Sequence, residues 1–235
     1  MYSSALPAQA RSSQPPMDIR APRAEYATHR TRTPIHLDVS RGYRRESHSH
    51  AKPSHHQTLG DSMELLLERC TVRSWRVTDA PRLAQLANDR TIWLNLRDRF
   101  PHPYTRADAD AFIAREAAAS PEQNFAIAVD DQPVGAIGLI VGEDIYRVSS
   151  EIGYWLGAEW RGQGIASEAL RGLSAWAFEY FGLQRIHAHV FTWNPPSARV
   201  LERSGFTLES TARNIAIKDG KVTDEWIYVM LREQR

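Results

Sequence analysis

The chain has one cysteine, Cys70, so an intrachain disulfide framework is excluded and a reducing compartment suits it. Long apolar runs are missing: no stretch reaches the roughly 18 residues that a spanning helix needs. The opening segment, MYSSALPAQARSSQPPMDIR, lacks the apolar region of a secretory signal. A cytoplasmic protein without a membrane partner is therefore expected. No charge sign dominates, since 29 Lys and Arg face 28 Asp and Glu. There is no P-loop, because the Gly-Lys-Ser/Thr ending is absent, and no G-x-G-x-x-G follows a first strand. What is present is a hydrophobic fraction of 42%, enough for a real core.

Composition shifts sharply near Met63. Residues 1–60 hold nine Lys and Arg against four Asp and Glu, with abundant Ser, Pro and His and few aliphatics. Such a segment cannot bury enough apolar surface to offset its chain entropy. Residues 1–62 are expected to form a disordered, basic, His-rich tail. Its HSHAKPSHH stretch (His48, His50, His55, His56) reads as solvated, because the spacing fits no preset metal site. Nine scattered charges are a weak signal for nucleic acid, which is not expected as a partner. Periodic sequence begins at MELLLERCTVRSW and sets a domain at 63–235.

Within that domain Leu65–Trp75 reads as a strand. Asp79-Ala80-Pro81 reads as a helix start, and a short helix is expected over Ile92–Leu96. Thr105 and Asp108 have capping-box spacing ahead of a helix that runs to about Ala119. FAIAVD and VGAIGLIV around a turn at Asp131-Gln132-Pro133 predict a hairpin, and SSEIGYWLG another strand. Ile165, Ala169, Leu173, Trp176 or Ala177, and Tyr180 repeat at helical spacing, with Gly182 as a stop. RIHAHVFT is a strand, and Asn194 with Pro195 opens a helix that Gly205 closes. Two strands around Lys218-Asp219-Gly220-Lys221 end the chain. The order predicts an α+β architecture with a mixed, largely antiparallel sheet flanked by helices.

The stretch WRGQGIASEAL, Trp160–Leu170, joins a strand to the long helix through a glycine-rich turn. The first turn of a helix presents unpaired N–H groups and partial positive charge. Gly162 and Gly164 let the backbone turn and let an anion approach, and Arg161 adds a fork of donors. Such a turn suits a pyrophosphate; the plain alternative is a tight turn with a solvated arginine.

Context extends this. RGQGIA matches the R/Q-x-x-G-x-G/A pattern of the GCN5-related N-acetyltransferase (GNAT) superfamily. EIGYWLG before it and NPPSARVLERSGF after it resemble the ribosomal-protein alanine acetyltransferase-like (RimJ/RimL-type) branch, as does NLRDRFPHPYT. The resemblance runs from about Met63 onward. It implies a GNAT-type sheet whose strands EIGYWLG and RIHAHVF splay into a V. It implies acetyl-CoA as co-substrate and transfer of acetyl to a primary amine, a protein N-terminus or a small molecule, and it admits a homodimer. The pyrophosphate is then expected on Arg161, Gly162, Gln163, Gly164, Ile165 and Ala166. The pantetheine arm is expected along Trp155, Leu156 and Gly157 and beside Asn194. Ser197, of N-x-x-S, is the expected acid, although a first-turn serine also serves as a cap. The position at which this branch can carry a glutamate base is Ala216, so Glu151 is the substitute base, with Asp224 behind it. Ala216 also keeps open a catalytically weak, acetyl-CoA-binding regulator as a second reading. Trp93, Phe100, Tyr104 and Trp155 could wall the acceptor cleft. His187 and His189 share a strand face, but no third ligand is visible, so no metal is expected.

Overall fold

The computed structural model describes residues 63–233. The tail at 1–62 and its histidines lie outside the described residues. Eight strands form one sheet in the order β1-β2-β3-β4-β5-β6-β8-β7. They are β1 Glu64–Leu66, β2 Thr71–Arg73, β3 Asn124–Val129, β4 Gln132–Val141, β5 Ser149–Leu156, β6 Arg185–Phe191, β7 Thr207–Lys218 and β8 Lys221–Leu231. All neighbours are antiparallel except β5 and β6. The helices are α1 Ala80–Ala87, α2 Arg90–Trp93, α3 Arg106–Ala117, α4 Ile165–Tyr180 and α5 Pro195–Arg203.

Three expectations change in detail, the first being the short helix expected over Ile92–Leu96, which runs Arg90–Trp93. The single strand expected over Leu65–Trp75 is a hairpin, closed by the Leu67 N–H on the Cys70 carbonyl at 3.0 Å. The turn expected at Asp131-Gln132-Pro133 falls one residue earlier, on Asp130 and Asp131. Both aspartates have positive φ (48° and 63°), as a two-residue hairpin turn demands, and Gln132 and Pro133 belong to β4. The α3 capping box is present as read: Thr105 Oγ1 accepts from Asp108 N, and Asp108 accepts from Thr105 N at 2.8 Å.

Alternation along the strands divides the core between the two sheet faces. Phe125, Ile127, Ile137, Leu139, Ile152 and Ile186 pack with Leu170, Leu173 and Ala177 of α4 and Leu201 of α5. Ala126 and Ala136 look the other way, toward Leu83 of α1 and Ile113 of α3. On that second side, Arg73 of β2 grips Asp79 at the head of α1 through two hydrogen bonds of 2.8 and 3.0 Å. Its guanidinium also reaches the Asp131 carbonyl in the β3–β4 turn at 2.9 Å. Both side chains of the pair are buried. A buried charge that loses its partner is costly. Arg73→Leu is therefore expected to destabilise the fold by about 3–5 kcal/mol in urea unfolding. An unchanged unfolding midpoint would contradict that.

Candidate active site

β5 and β6 pair over only three positions, Ser149–Glu151 against Arg185–His187. Beyond them β5 follows β4 through Leu156, and β6 follows β8 through Phe191. The two strands part, as the resemblance implies, and a cleft of about 540 Å³ opens between them. Its lining includes Glu151–Leu156 of β5, Ala188–Phe191 of β6, the α4 entry and the near side of α5. That volume lies in the range of small-molecule sites.

The loop at one end of the cleft is built around two left-handed glycines, Gly162 at φ 76° and Gly164 at φ 83°. A side chain at either position is strained by about 1–2 kcal/mol. Gly164 is the N-cap of α4 and has no side-chain cap, and its carbonyl accepts from Glu168 N at 3.1 Å. From Gly162 to Ser167, six successive backbone N–H groups have no acceptor among the described residues. Ile165 and Ala166 bury their side chains beneath, so only their backbone faces the loop.

Side chains of the loop bond within the protein. Gln163 Nε2 donates to the Glu159 carbonyl at 2.8 Å. Arg161 was expected to offer its fork to an anion. Instead Nε holds the Leu156 carbonyl at 3.0 Å, and the two terminal nitrogens hold Thr91 Oγ1 and Asp89 Oδ2, each at 3.2 Å. It ties the loop to α2. A second arginine, Arg69 in the β1–β2 turn, stands against the loop: a Cβ on Gly164 would lie 3.6 Å from its Cδ and Nε. Glu168 of α4 anchors that turn by accepting from the Glu68 and Arg69 N–H groups at 2.8 and 2.9 Å.

Of the expected pantetheine contacts, Trp155 and Leu156 lie on the cleft wall. Gly157 does not offer its N–H, which donates to the Val134 carbonyl at 2.9 Å. Its missing side chain instead lets α1 approach, since a Cβ would fall 2.6 Å from Leu86 Cδ2. Asn194 caps α5 through Oδ1, on Ser197 N at 3.3 Å, which leaves its Nδ2 for another acceptor.

The α4 and α5 side of the cleft holds a hydroxyl pair. Tyr154 OH and Ser197 Oγ are 2.9 Å apart, and Tyr154 OH also donates to the Ser197 carbonyl at 3.1 Å. Burial pushes the Tyr154 phenol up to about 12, with the Ser197 hydrogen bond pulling slightly the other way. Tyr154 is not foreseen from the sequence, since EIGYWLG shows only that one of its aromatics faces each side.

On the opposite face lies an ionisable network. Glu151 is bound by Arg97 from the segment after α2, so it is not a free carboxylate. His189 Nδ1 is 2.7 Å from Glu225 Oε2 of β8, and His187 Nδ1 is 3.4 Å from Ser149 Oγ. The Glu225 hydrogen bond holds the His189 imidazole above the usual histidine value, against the effect of its burial. Burial and then the neighbouring His189 push His187 down. The two histidines lack a third donor in the sequence, but folding supplies Glu151, and the three offer atoms within 4.8 Å of one another. Within this group Glu151 bonds Arg97, His189 Nδ1 bonds Glu225 and His187 Nδ1 lies against Ser149.

Of the four aromatics expected as cleft walls, only Trp155 lines the cleft. Tyr104 is core, its ring tilted against that of Phe100 with centroids 4.9 Å apart, and Trp93 lies beneath Lys218 at 3.8 Å. Asp224 is occupied too, accepting from Asn214 N at 2.7 Å. Ala216 lies on β7 opposite Thr223 and brings no functional group.

Comparison with known proteins agrees with this geometry. Residues 69–207 match the family model described as an acetyltransferase (GNAT) domain. An uncharacterized N-acetyltransferase, p20, of Bacillus licheniformis is 29% identical over 175 residues, covering 72% of this chain and 97% of its own. The ribosomal-protein-serine acetyltransferase of Escherichia coli (strain K12) is 31% identical over 107 residues, 46% of this chain and 59% of its own. The structure of RimL, a ribosomal L7/L12 alpha-N-protein acetyltransferase in complex with coenzyme A, superposes with a TM-score of 0.63 at 21% identity. That match covers 69% of this chain and 94% of the other. With its sheet parted between β5 and β6 and its open loop at the head of α4, the chain belongs to the GNAT family of acetyl-CoA-dependent N-acetyltransferases.

Proposed function

We propose that this enzyme moves the acetyl group of acetyl-CoA to a primary amine, either a protein N-terminus or a small-molecule amine, within a domain spanning 63–235. The observation that carries this reading is the row of six N–H groups, Gly162–Ser167, that have no acceptor among the described residues and stand at one end of the cleft. Such a row at a helix N-terminus suits a pyrophosphate. Arg69 beside Gly164 adds a positive charge that the sequence did not suggest. The parted edges of β5 and β6 leave backbone groups inside the cleft that need partners, which the amides of a pantetheine arm can supply.

The chemistry divides between the two faces. Ser197, paired with Tyr154, lets a proton reach the sulfur as the C–S bond breaks. Glu225 puts negative charge on the other face, where an ammonium group is attracted, while Arg97 offsets the charge of Glu151. The RimJ/RimL-type relatives support a protein N-terminus as one acceptor. The second reading, a binding protein with little turnover, draws on Ala216, and the polar groups on both cleft faces weigh against it.

Three outcomes follow. Purified protein is expected to release thiol from acetyl-CoA with at least one class among N-terminal peptides, polyamines, aminoglycosides and amino acids. Binding without thiol release across that panel would favour the second reading. Gly164→Glu, which sets a carboxylate at the anion loop, should weaken acetyl-CoA binding by about 100-fold or more in calorimetry. Retained affinity would remove the loop from the site. Ser197→Ala should lower kcat by about 100-fold while the acetyl-CoA Kd changes by less than about threefold. Unchanged kcat would take the serine out of the proton path.

A further inference from the structure

We propose that His189, held by Glu225, is the base that takes the proton from the acceptor amine. This rests on the acetyltransferase reading of the same cleft.

The carboxylates that could do this work are otherwise engaged. Glu151 is bound by Arg97. Asp224 accepts from Asn214 N and braces the distortion in β7. Ala216 has no ionisable group. His189 and Glu225, by contrast, both line the cleft. They sit on neighbouring strands: in the β6–β8 register His189 faces Ile227 and Phe191 faces Glu225, so both point to one side of the sheet. Ile186, Ala188 and Val190 point to the other side, toward α4 and the Tyr154–Ser197 pair. Base and acid thus approach the gap from opposite faces, as an addition followed by departure of sulfur requires.

The pairing also fixes the tautomer. Glu225 at 2.7 Å favours the proton on Nδ1, which leaves the Nε2 lone pair outside that bond. A carboxylate behind an imidazole stabilises the imidazolium that forms. In the first step the Nε2 lone pair takes a proton from R–NH3+, giving R–NH2 and an imidazolium paired with Glu225. The amine lone pair then bonds to the thioester carbonyl carbon. The C–S bond breaks, the thiolate takes the Ser197 Oγ proton, and Ser197 regains a proton from solvent through Tyr154. The protonated amide nitrogen and the imidazolium each release a proton to solvent. The net result is acetamide, free thiol and one proton.

The groups facing His189 are Glu225 from β8, Glu151 from β5, His187 from β6 and Arg97 from the segment after α2. Glu225 raises its proton affinity most, and Arg97 lowers it. Only neutral His189 can accept a proton, so kcat must fall as pH drops through its folded value. Removing the Glu225 charge must move that fall to lower pH.

The test is the pH dependence of kcat at saturating acetyl-CoA and the best amine from the panel, for the wild type, His189→Gln and Glu225→Gln. One amine is used throughout, so its own titration is common to all three. Acetyl-CoA affinity is measured on the same preparations. The expected result is a kcat about 100-fold lower in His189→Gln, with the acid limb gone. Glu225→Gln should shift the limb to lower pH, and acetyl-CoA affinity should stay within about threefold in both. A His189→Gln enzyme with wild-type kcat and limb, or an unmoved limb in Glu225→Gln, overturns the dyad and leaves the transferase reading standing. Failure of the wild-type protein to bind acetyl-CoA overturns both.

Discussion

Parallel pairing between β5 and β6 stops after Glu151 and His187, and the site depends on that stop. Each strand keeps a full-length antiparallel neighbour on its outer side, β4 for one and β8 for the other. Those outer ladders hold the strands on diverging paths, so the inner edges cannot close on each other. Backbone groups stranded there are obligatory hydrogen-bonding groups in need of partners. On the function proposed above, the amides of a pantetheine arm supply them, and the helix that begins between the strands seats the pyrophosphate at one end. Arg161 shows how firmly this geometry is kept: it is spent on Leu156, Thr91 and Asp89, locking the loop to β5 and α2.

The parting also separates chemistries that would interfere if they touched. The hydroxyl pair of Tyr154 and Ser197 lies on the α4 and α5 side, beside a large apolar core. The titratable network of Glu151, Arg97, His187, His189 and Glu225 lies on the other. Strand alternation alone produces this division, because neighbours on β5 and β6 point to opposite faces. On the proposed mechanism, a proton is taken from an amine on one side and delivered to sulfur on the other without the two groups neutralising each other.

Much of this was legible in the sequence, for physical reasons that differ by element. Helix α4 declared itself through apolar spacing, and α3 and α5 through their caps, all of which are local signals. The loop was legible only in context: a glycine-rich turn before a helix is a common feature, and EIGYWLG before it and NPPSARVLERSGF after it narrowed the reading. The structural ties of Arg161 were not legible because its partners Asp89 and Thr91 lie some seventy residues away in sequence. Tyr154, Arg97 and Glu225 were missed for the same reason: each gains meaning only from a partner on another element. Phe100, Tyr104 and Trp93 looked like cleft walls because they stand in a proline-broken segment or next to it, yet they fill the interior or pack under Lys218.

A structure of the protein with acetyl-CoA bound tests the central claim most directly. The account predicts pyrophosphate oxygens at hydrogen-bond distance, about 2.9 Å, from N–H groups between Gly162 and Ser167, with the thioester between the parted ends of β5 and β6. A pyrophosphate seated away from that loop, or a thioester outside the gap, would contradict it.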